Sequence, residues 1–457
     1  MKSKSMHPDS RGDPLSIVGL VTASALALAF TANAQDRPTG PADTATRTAA
    51  QALLAQDVPD DQTTSKTPAP IGGEPEGLLP EPRFIARMMR FATRSVGDGS
   101  NTKNGFFPEF SNMVTGSGWI SLGPGYRHWF SGDRAIVEGS TAISWRGYKM
   151  AQGRFEFSNI GHSRVSVGSQ ALWQDLTQVT YFGPGDASIE DARSEYRLKS
   201  TDVVGYATVR PIKWLAITGR TGYLFAPTLM DPGGKFQRGN PSALVTFAND
   251  PNIALEAQPG YVHTEASVTA DTRDSRSHPA HGGLYRAAMS VYADRETGTF
   301  SFQRYEAEAA QFVSLASDKL VLAARGWIVG SASGTDNIVP FYMLPSLGGH
   351  NTLRAYTDYR FHDRNLAVVN AEARVALITH LDLAAFVDAG NVAPRLSELN
   401  LDKRSYGLGL RLHTNRATVL RLDAAHGTDG WRFLFRTSDP FHLSRLSKRI
   451  AAVPFAP

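Results

Sequence analysis

The 457-residue chain contains no cysteine. Disulfide frameworks, thiolate metal centres and cysteine nucleophiles are therefore excluded. It also lacks a charge excess: 47 Lys and Arg face 43 Asp and Glu, for a formal net charge of +4. That balance leaves no electrostatic footprint for a nucleic-acid partner. Long apolar runs are missing as well. Only Ile17 to Phe30 approaches the ~20 residues that a membrane-crossing helix needs, and Thr22 and Ser24 interrupt it. A bundle of membrane helices is excluded. Catalytic signatures are absent too. Gly330-Ser331-Ala332-Ser333-Gly334 has the wrong spacing for a G-x-S-x-G elbow, and no H-E-x-x-H or phosphate-binding glycine loop occurs. His278-Pro279-Ala280-His281 sets a proline between two histidines with no evident third ligand, and reads as turn chemistry rather than a metal site. No catalytic, cofactor or metal residue is assigned.

What is present begins with an export signal over residues 1–34. Lys2, Lys4 and Arg11 precede the apolar run, and Ala32-Asn33-Ala34 supplies small residues at the cleavage positions. Residues 35–82 hold 8 of the 26 prolines and no Phe, Tyr or Trp. Such a segment cannot bury enough apolar area to offset its ordering entropy, so it reads as a disordered linker. Over 83–99, Phe84, Met88 and Phe91 stand at i, i+4 and i+7, widened by Ile85 and Met89, with Arg83, Arg87, Arg90 and Arg94 on the cationic side. This spacing predicts a short basic amphipathic helix that packs on the protein, or else docks on a membrane or plugs a pore.

From about residue 100 to 436 the chain alternates with period two, the signature of two-faced strands. Leu215, Ile217, Gly219, Thr221, Tyr223 and Phe225 share one face, with Arg220 on the other. Ala367, Val369, Ala371, Ala373, Val375 and Leu377 oppose Asn370, Glu372 and Arg374. Leu381, Leu383, Ala385, Val387 and Ala389 oppose Asp382, Phe386 and Asp388. Tyr406, Leu408, Leu410 and Leu412 oppose Gly407, Gly409, Arg411 and His413. Thr418, Leu420, Leu422 and Ala424 oppose Arg421 and Asp423, and Trp431, Phe433 and Phe435 oppose Arg432 and Arg436. Many such strands in an exported chain predict an all-β fold, a closed antiparallel transmembrane β-barrel of about 16 strands. Several charges share one face of a strand, as with Arg304, Glu306 and Glu308. Trp119, Trp129, Phe130, Tyr181, Phe182, Trp214, Trp327 and Trp431 recur near strand ends, where an interfacial girdle is expected. A soluble β-sandwich or propeller would reverse the two faces. Residues 437–457 form a basic tail carrying Arg445, Lys448 and Arg449.

Seven segments, in order, resemble the bacterial surface antigen family, the BamA/TamA-type outer-membrane barrels. Tyr181-Phe182-Gly183-Pro184-Gly185-Asp186 is similar to its aromatic-glycine turn, and Asp271-Thr272-Arg273-Asp274 with Pro279 and Gly282-Gly283 to its D-T-R-D hairpin. Leu353-Arg354-Ala355-Tyr356 resembles the tip of the family's long inward-folded loop, with Ala355 where glycine is usual. Asn370-Ala371-Glu372-Ala373-Arg374, Phe386-Val387-Asp388-Ala389-Gly390, Gly407-Leu408-Gly409-Leu410-Arg411 and Arg421-Leu422-Asp423-Ala424-Ala425 resemble its late strands. The resemblance implies that Arg354 and Tyr356 fold into the lumen and meet Glu372, Phe386 and Asp388 on the wall. It implies structural roles for Asp271, Arg273 and Asp274 at a hairpin, and for Gly407, Gly409, Arg411, Arg421 and Asp423 in the last strands. A seam between a first strand near 107–118 and a last near 430–436 would open toward lipid.

The expected location is the cell outer membrane, with outer-membrane lipid and an unfolded polypeptide or lipid client as partners, no nucleic acid and no cofactor. The expected activity is membrane insertion or transport through a lumen or seam, not catalysis. About 65 residues between Ala34 and the barrel leave no room for a POTRA module. An outer-membrane lipid hydrolase and a passive porin-like barrel are the alternatives, since a Ser/His/Asp triad is recognised by geometry rather than spacing.

Overall fold

The computed structural model describes residues 77–79, 82, 85, 104–111, 121–130, 132, 134–161, 163–234, 239–250, 258–316, 319–414, 418–436 and 439–441. The signal segment, nearly all of the helix expected over 83–99, Trp119 and most of the basic tail lie outside the described residues.

Sixteen strands form one antiparallel sheet in which chain neighbours pair throughout. They are β1 (Gly105–Ser111), β2 (Ser121–Phe130), β3 (Ala135–Ser144), β4 (Lys149–Ile160), β5 (Val165–Tyr181), β6 (Ser194–Ile212), β7 (Leu215–Met230), β8 (Tyr261–Asp271), β9 (Gly282–Asp294), β10 (Phe302–Leu315), β11 (Leu320–Ser333), β14 (Asn365–Ile378), β15 (Leu381–Ala393), β16 (Lys403–His413), β17 (Thr418–Gly427) and β18 (Gly430–Arg436). Two short strands, β12 (Ser346–Leu347) and β13 (Phe361–His362), pair with each other inside the connection from β11 to β14. Among the described residues the end strands β1 and β18 span seven positions each, the fewest of the sixteen. Among the described residues no ladder joins them.

The two faces of the sheet have inverted polarity. Val387, Tyr406, Leu408, Trp431 and Phe433 are exposed, whereas Glu372, Arg374, Asp388, Arg411, Arg421 and Asp423 are buried. Alternation alone explains the separation: each of these charged residues is one or an odd number of positions from the apolar ones on its strand. The contents of the charged face supply the burial. The connection from β11 to β14 lies against it, and so do parts of other connections. Asp186, between β5 and β6, accepts a hydrogen bond from Asn391 of β15 at 3.1 Å. The β5–β6 connection thus reaches across this face to β15, eight places along the sheet from β5. Long connections (182–193, 231–260, 334–364) leave one end of the sheet, and mostly short turns leave the other, such as 213–214 and 379–380.

Alternation fails where a bulge intervenes. Leu412 pairs with Leu420 but His413 pairs with Thr418, so one residue of β17 is extra. Thr418 is thereby turned to the charged face and buried, not grouped with Leu420 and Leu422 as its parity suggests. The girdle expectation also needs correction. Trp214 and Trp431 are exposed, but Tyr181, Phe182 and Trp327 are buried. Tyr181 and Tyr196 pack edge-on against Phe341 of the long connection, with ring centroids 5.0 and 4.8 Å apart. Together with Tyr148, Leu224, Tyr261, Phe302, Tyr342 and Tyr359 they make an aromatic cap over the long-connection end. At the opposite end Phe441 packs on Leu284, Ala310, Phe312 and Ala323. Of the segment expected as linker, Leu78 and Leu79 donate backbone N–H bonds to the carbonyls of Ala376 and Leu377, beside a register shift in β14.

Candidate functional site

The charged face of β14 to β17 holds the sequence-expected residues, and the ladder fixes their spacing. Asn370 pairs with Asp388 and Glu372 with Phe386 across β14 and β15. Phe386 pairs with Gly407 and Asp388 with Ser405 across β15 and β16. Gly409 pairs with Asp423 and Arg411 with Arg421 across β16 and β17.

Arg354, in the connection between β12 and β13, reaches this wall. Its guanidinium makes a two-pronged contact with Asp388, Nη2 to Oδ1 at 2.7 Å and Nε to Oδ2 at 3.0 Å, and its backbone N–H donates to the same carboxylate at 3.1 Å. Nη1 donates to Glu372 at 2.6 Å. The plane of the guanidinium lies over the Phe386 ring, 3.5 Å from its centroid. One side chain thus joins three wall residues, which a planar fork of five donors permits and an ammonium does not. Ala355 is buried and does not adopt a left-handed backbone, so this tip requires no glycine there. Tyr356 stacks edge-on with Phe361 at 5.3 Å, and its hydroxyl lies 2.9 Å from that of Thr428.

The contact continues as alternating charge. Glu372 also accepts from Arg411 at 2.9 Å, Arg411 donates to Asp423 at 2.6 Å, and Arg421 lies 3.2 Å from Asp423. Three carboxylates therefore alternate with three guanidinium groups, and all six are buried. Buried charge is tolerable only with such mutual compensation. The two glycines make room for it. A Cβ on Gly407 would overlap the Phe386 ring and the Ala424 carbonyl, and one on Gly409 would overlap the Asp423 carboxylate and the Arg411 guanidinium.

Several participants were not singled out as site residues from sequence. Ser405 donates to Asp388 at 2.7 Å, and Asn370 bridges Asp388 and the Thr352 carbonyl at 2.9 and 2.7 Å. Arg325 of β11 links Glu308 to the Asn351 carbonyl, both at 2.7 Å. Arg360 holds Asp429 at 3.0 Å and Ser188 at 2.8 Å. The available signal was parity: Ser405 and Asn370 share the faces of Arg411 and Glu372. No signal linked Arg325 or Arg360 to a partner.

Asp271, Arg273 and Asp274 stand apart from this wall, at the end of β8. Arg273 grips Asp271 through Nε and Nη2 at 2.8 and 2.9 Å. Asp274 accepts backbone N–H bonds from Ser275, Ala280 and His281 at 2.9 to 3.2 Å, which closes the connection to β9.

Two histidines of the long connection give the site a pH response. Burial pushes His350 down from 6.5 to about 4, against the pull of Asp358 at 3.8 Å, and burial alone pushes His362 down to about 3. Both are therefore uncharged when docked at neutral pH. An undocked chain takes up protons below about 6.5, so docking is fully stable above that value and weakens as pH falls toward 4. At pH 5, His350 is expected to cost docking about 2 kcal/mol. Limited proteolysis of the 334–364 connection in the folded protein should accelerate between pH 7 and pH 5. His350→Gln should reduce that response and leave the share of His362, and a rate that does not change with pH in the wild type would refute it.

Comparison with known proteins places this geometry. Residues 261–437 match the Omp85 superfamily domain. No curated protein matches the chain. Among solved structures, BamA from Haemophilus ducreyi lacking POTRA domains 1-3 is similar at TM-score 0.56 and 14% identity, over 73% of this chain and 70% of that one. CdiB from Acinetobacter baumannii (TM-score 0.42, 13% identity, 73% of this chain) and CdiB from Escherichia coli (0.44, 12%, 74%) are more distant. This chain spans 58% and 60% of those two. The BamA match carries the fold. The sheet from β8 to β18, with the clasped connection between β11 and β14, is the part of the chain that matches the Omp85 superfamily domain.

Proposed function

We propose that the sixteen strands close into a barrel in the bacterial outer membrane, that the 334–364 connection is folded into its lumen, and that the protein inserts or transports polypeptide or lipid clients. The observation that carries this reading is the inverted polarity of the sheet: its apolar side chains lie exposed and its ionic ones buried. In water that arrangement leaves a large uncovered oily surface, whereas in hydrocarbon it is the stable one. Closure would remove the two open edges, which hydrocarbon cannot satisfy.

The reading of activity rests on the seam. β1 and β18 are the two ends of the sheet, joined by no ladder among the described residues, so their junction is the place where a closed barrel could part toward lipid. Family membership of β8 to β18 supports the same direction. The role is one of binding and transport rather than catalysis, and the location and clients follow from the family resemblance. The folded protein, reconstituted in lipid vesicles, is expected to accelerate insertion of an unfolded outer-membrane barrel added from outside. Equal rates with and without it would overturn the insertase reading. Steady ion conductance alongside equal rates would indicate a passive pore, and lipid hydrolysis an enzyme.

A further inference from the structure

At the short-turn end of the sheet, two histidines converge on one carboxylate. His278 comes from the 272–281 connection, Asp382 from the start of β15 and His413 from the end of β16. His278 Nε2 lies 3.3 Å from Asp382 Oδ2, and His413 Nε2 lies 3.1 Å from Oδ1. The two rings stack 3.9 Å apart. Asp382 and His413 are buried, and all the donor atoms lie within 4.8 Å of one another.

The spacing is that of ligands around a small ion. Atoms bound tetrahedrally at about 2.0–2.1 Å stand about 3.3 Å apart, close to both nitrogen–oxygen separations here. A second observation concerns protons. His413 Nδ1 faces the Thr414 carbonyl at 3.2 Å, and a carbonyl can only accept, so Nδ1 carries the hydrogen. That leaves Nε2 to face Asp382 Oδ1 at 3.1 Å, where a bound cation would sit between the two atoms. A backbone carbonyl on the distal ring nitrogen is the arrangement that orients metal-bound histidines. On His278, Nδ1 lies 3.1 Å from the Thr418 hydroxyl and 3.4 Å from Arg374 Nη1; for Nε2 to act as a ligand, Nδ1 must donate to the hydroxyl and the guanidinium must release it. Arg374 lies beside the cluster; it is offset by Asp439 at 3.3 Å and donates to the Pro279 carbonyl.

We propose that His278, Asp382 and His413 bind one divalent transition-metal ion of the zinc class, which clips the 272–281 connection to β15 and β16. The ion has two nitrogen ligands and one carboxylate, with water completing its shell. The turn at His278-Pro279, read from sequence as local chemistry, is thus one jaw of a clip closed by residues 104 and 135 positions later. The bulge in β17 is part of it, since it turns Thr418 toward His278.

The test uses the full-length protein, free of affinity tags, folded in detergent and stripped with a chelator. Heat-modifiable gel migration verifies the fold of each variant. Zn2+ titration by calorimetry is expected to show one ion per chain, and Co2+ to give the visible absorption of a low-coordinate nitrogen/oxygen site. His413→Gln and Asp382→Asn should weaken binding by more than about 100-fold, and Thr418→Val by about 10–100-fold. Saturating Zn2+ should slow proteolysis within 272–281 in the wild type and not in His413→Gln. Absence of binding to the folded wild type would overturn the proposal. So would equal affinity in wild type and variants, which would put the ion elsewhere. If His413→Gln fails to fold, the Thr418→Val affinity and the Co2+ spectrum decide.

Discussion

Arg354→Ala is expected to destabilise the folded protein by about 3 kcal/mol, the low end of the range for breaking a buried ion pair. The loss comes from the carboxylates left behind more than from the guanidinium removed. Asp388 keeps Ser405 and Asn370 as donors, and Glu372 keeps Arg411. These remaining bonds are why the figure is not larger. The contact over the Phe386 face adds about 0.5–2 kcal/mol that alanine also forfeits. Arg354→Lys should fall between, because an ammonium cannot span Asp388 and Glu372 with parallel bonds. Denaturant unfolding in lipid, read together with the temperature at which compact gel migration is lost, measures both. A change in Arg354→Ala below about 0.5 kcal/mol, the scale of an exposed pair, would show that the clasp does not hold the connection.

Leu408→Arg separates lipid from water as the solvent of the apolar face. Leu408 is 58% exposed, sits at the centre of β16, and pairs with Ala385 and Ala424 on either side. It makes little packing, so truncation or charge there matters only through what lies outside. Against hydrocarbon near the bilayer midplane an arginine costs about 2–4 kcal/mol. Against water, an exposed substitution of this kind stays within about 0.5 kcal/mol. Unfolding free energies of the two proteins in the same lipid vesicles decide between these values. A difference under about 0.5 kcal/mol would remove the membrane reading along with the barrel it supports.

The strands were legible because period two survives over long stretches. The faces of β14, β15, β16 and β18 follow from parity alone, and so does the meeting of Glu372 and Asp388 on one side. Parity assigns a face but not a depth along the strand. That is why Tyr181 and Phe182, read as girdle residues, are buried beneath the long connection, whereas Trp327 is buried because it shares the charged face with Arg325. Parity is also lost at a bulge, and Thr418 was misplaced for that reason. The partners of Arg354 could be named because a family motif supplied the loop. Without such a motif, contacts between distant segments leave no local trace. Arg360 with Ser188, 172 residues apart, and His278 with Thr418, 140 apart, are of this kind. The carbonyl orienting His413 is likewise invisible in sequence, because it belongs to the backbone.

The aromatic cap has a bearing on how the two halves of the chain depend on each other. Tyr148, Tyr181, Tyr196 and Leu224 belong to the portion before residue 261, yet the rings they close upon, Phe341 and Tyr342, are delivered by the later portion. The earlier strands thus borrow their keystone from the later portion, which carries the Omp85 match. Neither half is a free-standing module. A chimaera that replaced one of them would have to import a matching lobe for the other, and drift in Phe341 would be felt by Tyr181 and Tyr196, far upstream in the chain.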